Sequence, residues 1–246
     1  MPPLFVFLDI DGTIIGDILP QVVEWELIDL FEKPKMAAFK KNLMVQLQNG
    51  LLRPHLATFI DTLKSKGDCE IFIYTASESR WANCLVGCIE QIIGTKFSRP
   101  LFTRNHCIVG NRDYSKSLSS IAGVVYTKMK DRYHLKSKEE VVAKSIMVDN
   151  HRLLVETNKL HHCPTYNYKD VYDVLRLLSE EVLAKHYIEI AAKLSQHGLF
   201  PVISGGKSFS FHVFKSLYFS FTGAAIKENL KNNLLAKDNY WMQIKI

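Results

Sequence analysis

LFVFLDIDGTIIG, residues 4–16, ends an apolar run with two carboxylates, Asp9 and Asp11, and follows them at once with Gly12 and Thr13. Two readings compete for this stretch. Asp11-Gly12 between apolar runs is a common hairpin signal. The same residues also suit a buried strand whose end presents carboxylates to a phosphate and a metal ion. The rest of the chain weighs one against the other.

Leu4 to Ile10 is short, continuous and rich in Phe and Val, the pattern of a strand covered on both faces. Two helical segments are predicted next, ending near Glu32 and Gly50, with Pro34 at the second start. Pro54 opens another helix, which places Leu56, Phe59, Ile60 and Leu63 on one face and stops at Gly67. EIFIYTAS, residues 70–77, reads as a second buried strand, and Glu78 to Ile93 as a long helix. Arg104 to Tyr114 is turn-rich, a short helix begins near Ser115, and SIMVDN, residues 145–150, is a third buried strand. Helices alternating with buried strands predict an α/β fold, a Rossmann-like parallel sheet flanked by helices. Further helices are expected over Asp170–Leu178, Glu181–Ser195 and Ala224–Ala236. The expected division is residues 1–180 as the enzyme-like domain and 181–246 as a mainly helical extension.

Composition bounds the rest. With 47% hydrophobic and 23% charged residues among 246, the chain is an ordinary globular one. MPPLFVFLDI has no basic n-region, and no window offers the ~20 apolar residues of a membrane span, so an intracellular protein, cytoplasmic or nuclear, is expected. The five cysteines form no CxxC pair, which argues for free thiols. Cys84 and Cys88 beside His161-His162-Cys163 lack a zinc-finger spacing. A net charge of +6 suits an acidic or phosphorylated partner, but it is spread along the chain and does not imply nucleic acid.

Three strand ends therefore carry Asp9 and Asp11, then Thr75 and Ser77, then Asp149 and Asn150, with Lys116 before the last. In open α/β sheets ligands bind outside these carboxyl ends. Hydrolysis of a phosphate monoester needs a nucleophile, an acid for the leaving oxygen and positive charge around phosphorus, and this set supplies all three. Taken singly, Thr75 reads as a helix cap and Lys116 as a surface lysine.

DIDGT, residues 9–13, matches the DxDxT motif of the haloacid dehalogenase superfamily. In order along the chain, LLRPHLATFIDTL, IFIYTASESRWA, LFTRNHCIVGNRDYSKSLSSI and IMVDN resemble the RNA polymerase II C-terminal-domain phosphatases over roughly residues 4–178. The resemblance implies Asp9 as nucleophile and Asp11 as general acid that later activates water. It implies Mg²⁺ held by Asp9, the Asp11 carbonyl and Asn150, with Asp149 beside them. Thr75 and Lys116 would hold the phosphoryl group and offset its charge, Thr13 would orient the loop, and Arg53 and Arg104 could meet phosphate or peptide. The implied substrate is phosphoserine or phosphothreonine in a protein. The alternatives are nucleotide ends, small phosphate esters, or a binding module of the same fold without turnover.

Two segments depart from that family's pattern. Residues 20–50 read as helical where those relatives are β-rich, and YTKMKDRYHLKSKEEVV, residues 126–142, is inserted before the third strand. The insertion's basic residues, Lys128, Lys130 and Arg132, could reach the site rim and steer an acidic phosphopeptide. The other reading is an exposed loop and a solvated helix.

Overall fold

A computed structural model describes residues 3–110, 114–168, 178–196, 238 and 240–244. The helices expected over Asp170–Leu178 and Ala224–Ala236 fall wholly or almost wholly outside those residues, as does most of the expected 181–246 extension. The chain forms two compact units: Met1–Gly16, Leu52–Asn167 and Asp238–Ile246 make the first, Asp17–Leu51 and Tyr168–Lys237 the second.

The first unit is built on a parallel sheet of order β3-β2-β1-β6-β7. Its strands are β1 (Leu4–Leu8), β2 (Cys69–Tyr74), β3 (Ser98–Phe102), β6 (Ser145–Asp149) and β7 (Leu160–His162). β1 is central, paired in register with β2 from Leu4 opposite Cys69 and with β6 from Phe5 opposite Ser145. The continuous apolar runs follow from this placement, because a central parallel strand is covered on both faces. Strand order reverses at β1, so a crevice opens between the carboxyl ends of β1 and β6.

Phe5 and Phe7 point to one face and meet Leu118, Ile121, Ala122 and Val125 of helix α5 (Leu118–Tyr133) and Val141 of α6 (Lys138–Ala143). Helices α3 (Leu56–Ser65) and α4 (Ser79–Ile93) lie on the right-handed path from β1 through β2 to β3, which assigns them to the opposite face. Their buried stripes are the expected ones, Leu56, Phe59, Ile60 and Leu63 on α3 and Trp81, Leu85 and Ile89 among those on α4. A short antiparallel ribbon, β4 (Ile108–Val109) and β5 (Tyr114–Ser115), precedes α5.

The second unit holds α1 (Leu19–Phe31), α2 (Met36–Gln46) and α7 (Glu180–Gln196). The helical reading of residues 20–50 and of Glu181–Ser195 is what these elements show. Lys193 pairs with Glu26 at 3.2 Å, and His186 stacks on Phe31 with ring centroids 4.5 Å apart. All five cysteines are free thiols. Among the described residues no helix is long and apolar enough to cross a membrane.

Candidate active site

The end of β1 places Asp9 in the switch-point crevice, 4% exposed, with its amide donating to the Val148 carbonyl at 3.0 Å. Lys116, equally buried, donates through Nζ to Asp9 Oδ1 and, at 2.7 Å, to Asp149 Oδ2. Asp149 Oδ1 in turn accepts from the His151 amide at 2.7 Å. Residues 107 and 33 positions apart in sequence thus meet through one ammonium group.

The backbone that carries Lys116 is held from three sides. The Lys116 amide donates to the Leu153 carbonyl and the Lys116 carbonyl accepts from the Val155 amide, both at 2.9 Å, so the backbone is clipped to the loop after β6. The Ser117 amide donates to the hydroxyl of Tyr74, at the end of β2, at 3.1 Å. Glu156 accepts from Ser117 Oγ, the Leu118 amide and the Ser119 amide at 2.9–3.0 Å, closing the first turn of α5 with a carboxylate. No sequence pattern pointed to Glu156, since the contact spans 37–39 residues and its value lies in three amide or hydroxyl donors that only the fold assembles.

Asp11 Oδ2 accepts from Ser77 Oγ at 2.9 Å, so Ser77, three residues past the end of β2, contacts the residue implied as the acid. Thr75 is fully buried; its Oγ1 accepts from the Ser77 amide at 3.1 Å and so shapes the loop that presents that serine. Helix α4 takes neither as its N-cap, starting instead after Glu78. Thr13 Oγ1 donates to Asn150 Oδ1 and accepts from the Asn150 amide, each at 3.1 Å, stitching the β1 loop to the β6 loop. Gly12 lies between them at φ +72°, where a Cβ would come 2.6 Å from Asn150 Nδ2. A left-handed glycine is therefore required here for both backbone and space. No strand follows it, so the hairpin reading of Asp11-Gly12 does not hold; residues 14–18 lead into α1.

Arg104 sits at the rim, its side chain 40% exposed, donating to the Ala76 carbonyl at 2.8 Å and lying over the Tyr114 ring. Arg53 is placed differently: 1% exposed, it faces Asp238 and the carbonyls of Thr13 and Pro164. The inserted segment is the second half of α5, a left-handed turn at His134, and α6. Arg132 and Tyr133 both reach Glu70, at the amino end of β2. Of the two readings of this segment, the one that brings it to the site rim does not hold, and the solvated helix does. α5 begins beside Lys116 and runs about 24 Å toward the opposite end of the sheet.

Burial pushes the Asp9 carboxyl up from its ordinary 3.8 to about 7; the Lys116 charge opposes this, while Asp149 and Asp11 reinforce it. Burial also works against a charged Lys116, but Asp9 and Asp149 outweigh it and raise the ammonium above its usual range. Two carboxylates thus share one cation, with a third, Asp11, near enough to Asp9 to be felt by it. Among the described residues no three His, Cys, Asp or Glu side chains form a metal cage. The side-chain oxygens of Asp9, Asp149 and Asn150 instead offer a hard, oxygen-only set with surplus negative charge, which fits a Mg²⁺ ion that keeps several waters.

A family model for NLI interacting factor-like phosphatases matches residues 4–193. The chain belongs to that family. Residues 4–193 take in the whole five-stranded sheet, every sequence-predicted site residue, and α7 up to its final turn. Solved structures similar to this chain include Fcp1, described as an essential RNA polymerase II CTD phosphatase, at 15% identity and TM-score 0.40, covering 98% of this chain and 69% of that one. Fission yeast Fcp1 bound to beryllium fluoride matches at 14% and 0.39 with the same coverage. A phospho-aspartyl intermediate analogue of phosphoserine phosphatase matches at 11% and 0.31, covering 60% of this chain and 78% of that one. No curated protein sequence matches the chain. Membership in the NLI interacting factor-like phosphatases agrees with the DxDxT reading and with the α/β fold.

Proposed function

We propose that this chain is a Mg²⁺-dependent phosphatase that passes the phosphoryl group through Asp9, acting on phosphoserine or phosphothreonine of a protein. The observation that carries the reading is the burial of Asp9 at the end of the central strand, bridged to Asp149 by Lys116 and followed two residues on by Asp11. In the first step an Asp9 carboxylate oxygen attacks phosphorus and the ester P–O bond breaks. The departing serine or threonine oxygen takes the proton of Asp11 and leaves as the alcohol. In the second step water attacks the same phosphorus, gives its proton to Asp11, and the P–O bond to Asp9 breaks, releasing inorganic phosphate. Splitting one displacement in two is what a carboxylate nucleophile offers, and acid/base help of this kind is worth ~10²–10⁴-fold.

Lys116, bonded to Asp9, would balance charge on the transferring group, and Thr75 and Ser77 would shape the loop facing Asp11. Asp9, Asp149, Asn150 and the Asp11 carbonyl would hold Mg²⁺, which when bound supplies positive charge to the phosphate oxygens. Asp9→Asn should remove turnover while circular dichroism shows an unchanged fold, because an amide does not attack phosphorus. Substantial activity in a folded Asp9→Asn protein would overturn the nucleophile assignment. Wild-type activity should also vanish on EDTA treatment and return with Mg²⁺; turnover surviving thorough metal removal would exclude the metal role. Comparing phosphopeptides with nucleotide ends and small esters tests the substrate class, and a clear preference for either of the latter would replace it.

A further inference from the structure

The described C-terminal residues, Asp238 and 240–244, lie in the same unit as the sheet, beyond the stretch that matches the family. Asp238 forms a two-pronged pair with Arg53: Nε donates to Oδ1 at 3.0 Å and Nη2 to Oδ2 at 2.8 Å. The remaining nitrogen, Nη1, donates to the Thr13 carbonyl at 3.2 Å and the Pro164 carbonyl at 3.1 Å. Tyr240 and Trp241 of the short helix α8 (Tyr240–Gln243) cover the guanidinium, with the Tyr240 centroid 4.4 Å from it, and Trp241 seats α8 on Phe59 at 4.6 Å.

We propose that Asp238 is a positioning residue of the active site. It fixes the plane of Arg53 so that the inner nitrogen grips the Thr13 and Pro164 carbonyls and locks the β1 loop against the segment carrying Thr165. A planar fork meeting a carboxylate through two parallel bonds has one orientation, whereas a single contact leaves it free to rotate. A guanidinium this deeply buried is disfavoured without its counter-charge. When Asp238 is neutralised, Arg53 turns outward or takes up water, and the Thr13 carbonyl loses its donor. Thr13 is tied at both ends, its hydroxyl to Asn150 and its carbonyl to Arg53, so slack at one end reaches the other. Gly12 and Thr165 both pack on Asn150, and the Tyr166 amide donates to the Gly12 carbonyl at 2.7 Å, so the disturbance converges on the loop between Asp11 and Asn150.

The consequence for rate rests on the phosphatase reading; the consequence for loop order does not. The test uses the full chain as wild type, Asp238→Asn, and the double variant Arg53→Met/Asp238→Leu. Asp238→Asn should lower kcat on a small chromogenic phosphate ester by roughly 10–100-fold with little change in KM, as for residues that orient a site from behind it. Amides of residues 13–15 and of Tyr166 should exchange faster with solvent while those of β2 keep their protection. The double variant removes both buried charges, so its thermal midpoint should return toward wild type while kcat stays low. Wild-type kcat and exchange in Asp238→Asn, or recovery of kcat together with the midpoint in the double variant, would overturn the proposal. A wild-type chain that leaves the ester intact defeats the phosphatase reading alone, and the exchange pattern then decides the role of Asp238. If Asp238→Asn does not fold, the double variant still separates charge burial from loop positioning.

Discussion

Gly12 lies where the β1 and β6 loops touch, and it concentrates what the site demands of a single position. Its φ of +72° excludes a comfortable L side chain, and a Cβ there would press on Asn150 Nδ2 at 2.6 Å and on the Thr165 methyl at 3.1 Å. Gly12→Ala should therefore cost about 1–2 kcal/mol of stability from the backbone alone. It should also raise the Mg²⁺ concentration needed for half-maximal turnover, because Asn150 is displaced. A Mg²⁺ titration alongside chemical unfolding checks both, and an unchanged titration would separate Gly12 from the metal loop. At this scale DIDGT was legible because both aspartates, the glycine and the threonine act within one tight turn. Ser77 is half legible: the sequence puts it at the second strand end, but nothing local names it the partner of Asp11. Arg53 was noticed as a charge; its counter-charge, 185 residues away, leaves no local trace in sequence.

Helix α5 shows what an element adds. Its first turn is closed by Glu156 from the loop after β6, and the same loop clips the backbone of Lys116. Burial pushes the Glu156 carboxyl up, but bonds from Ser119, Leu118 and Ser117 outweigh it and hold it below its usual 4.5. A depressed folded value means that the stabilisation is complete above the ordinary carboxylate range and is lost as pH falls through the folded value. Glu156→Ala should thus cost roughly 1 kcal/mol at pH 7, as lost helix caps do. The gap to wild type should narrow under acid, and urea unfolding at pH 7 and near pH 4 measures it. An equal gap at both pH values would rule out the charged cap. The other end of α5 carries the inserted residues, and Arg132 on Glu70 places them at the amino end of the sheet. Replacing Lys128, Lys130 and Arg132 by alanine should therefore leave KM for a phosphopeptide unchanged at low salt, and a rise would return them to the substrate path. A short helix is the expectation from sequence because the second half of α5 keeps only a thin apolar stripe, Tyr126, Met129 and Tyr133, among charged and polar residues.

For the whole molecule, the alternation of buried strands and helices was readable because a central parallel strand leaves no polar face to confuse the pattern. Strand order was less readable, since nothing in the runs themselves says that β6 pairs with β1 on the side opposite β2. That pairing brings Asp149 and Lys116 to Asp9, and it turns separate strand ends into a site. The division of the chain also exceeds linear reading. Asp17–Leu51 and Tyr168–Lys237 share one unit, while Asp238–Ile246 returns to the sheet. Passage of the phosphoryl group through Asp9 can be trapped by rapid acid quenching of enzyme mixed with a ³²P-labelled phosphopeptide. Label is expected on the protein within the first turnover, in the peptide containing Asp9, released by hydroxylamine as an acyl phosphate should be, and absent from Asp9→Asn. Turnover of the labelled peptide without label on Asp9 at any quench time, together with an active Asp9→Asn protein, would contradict it.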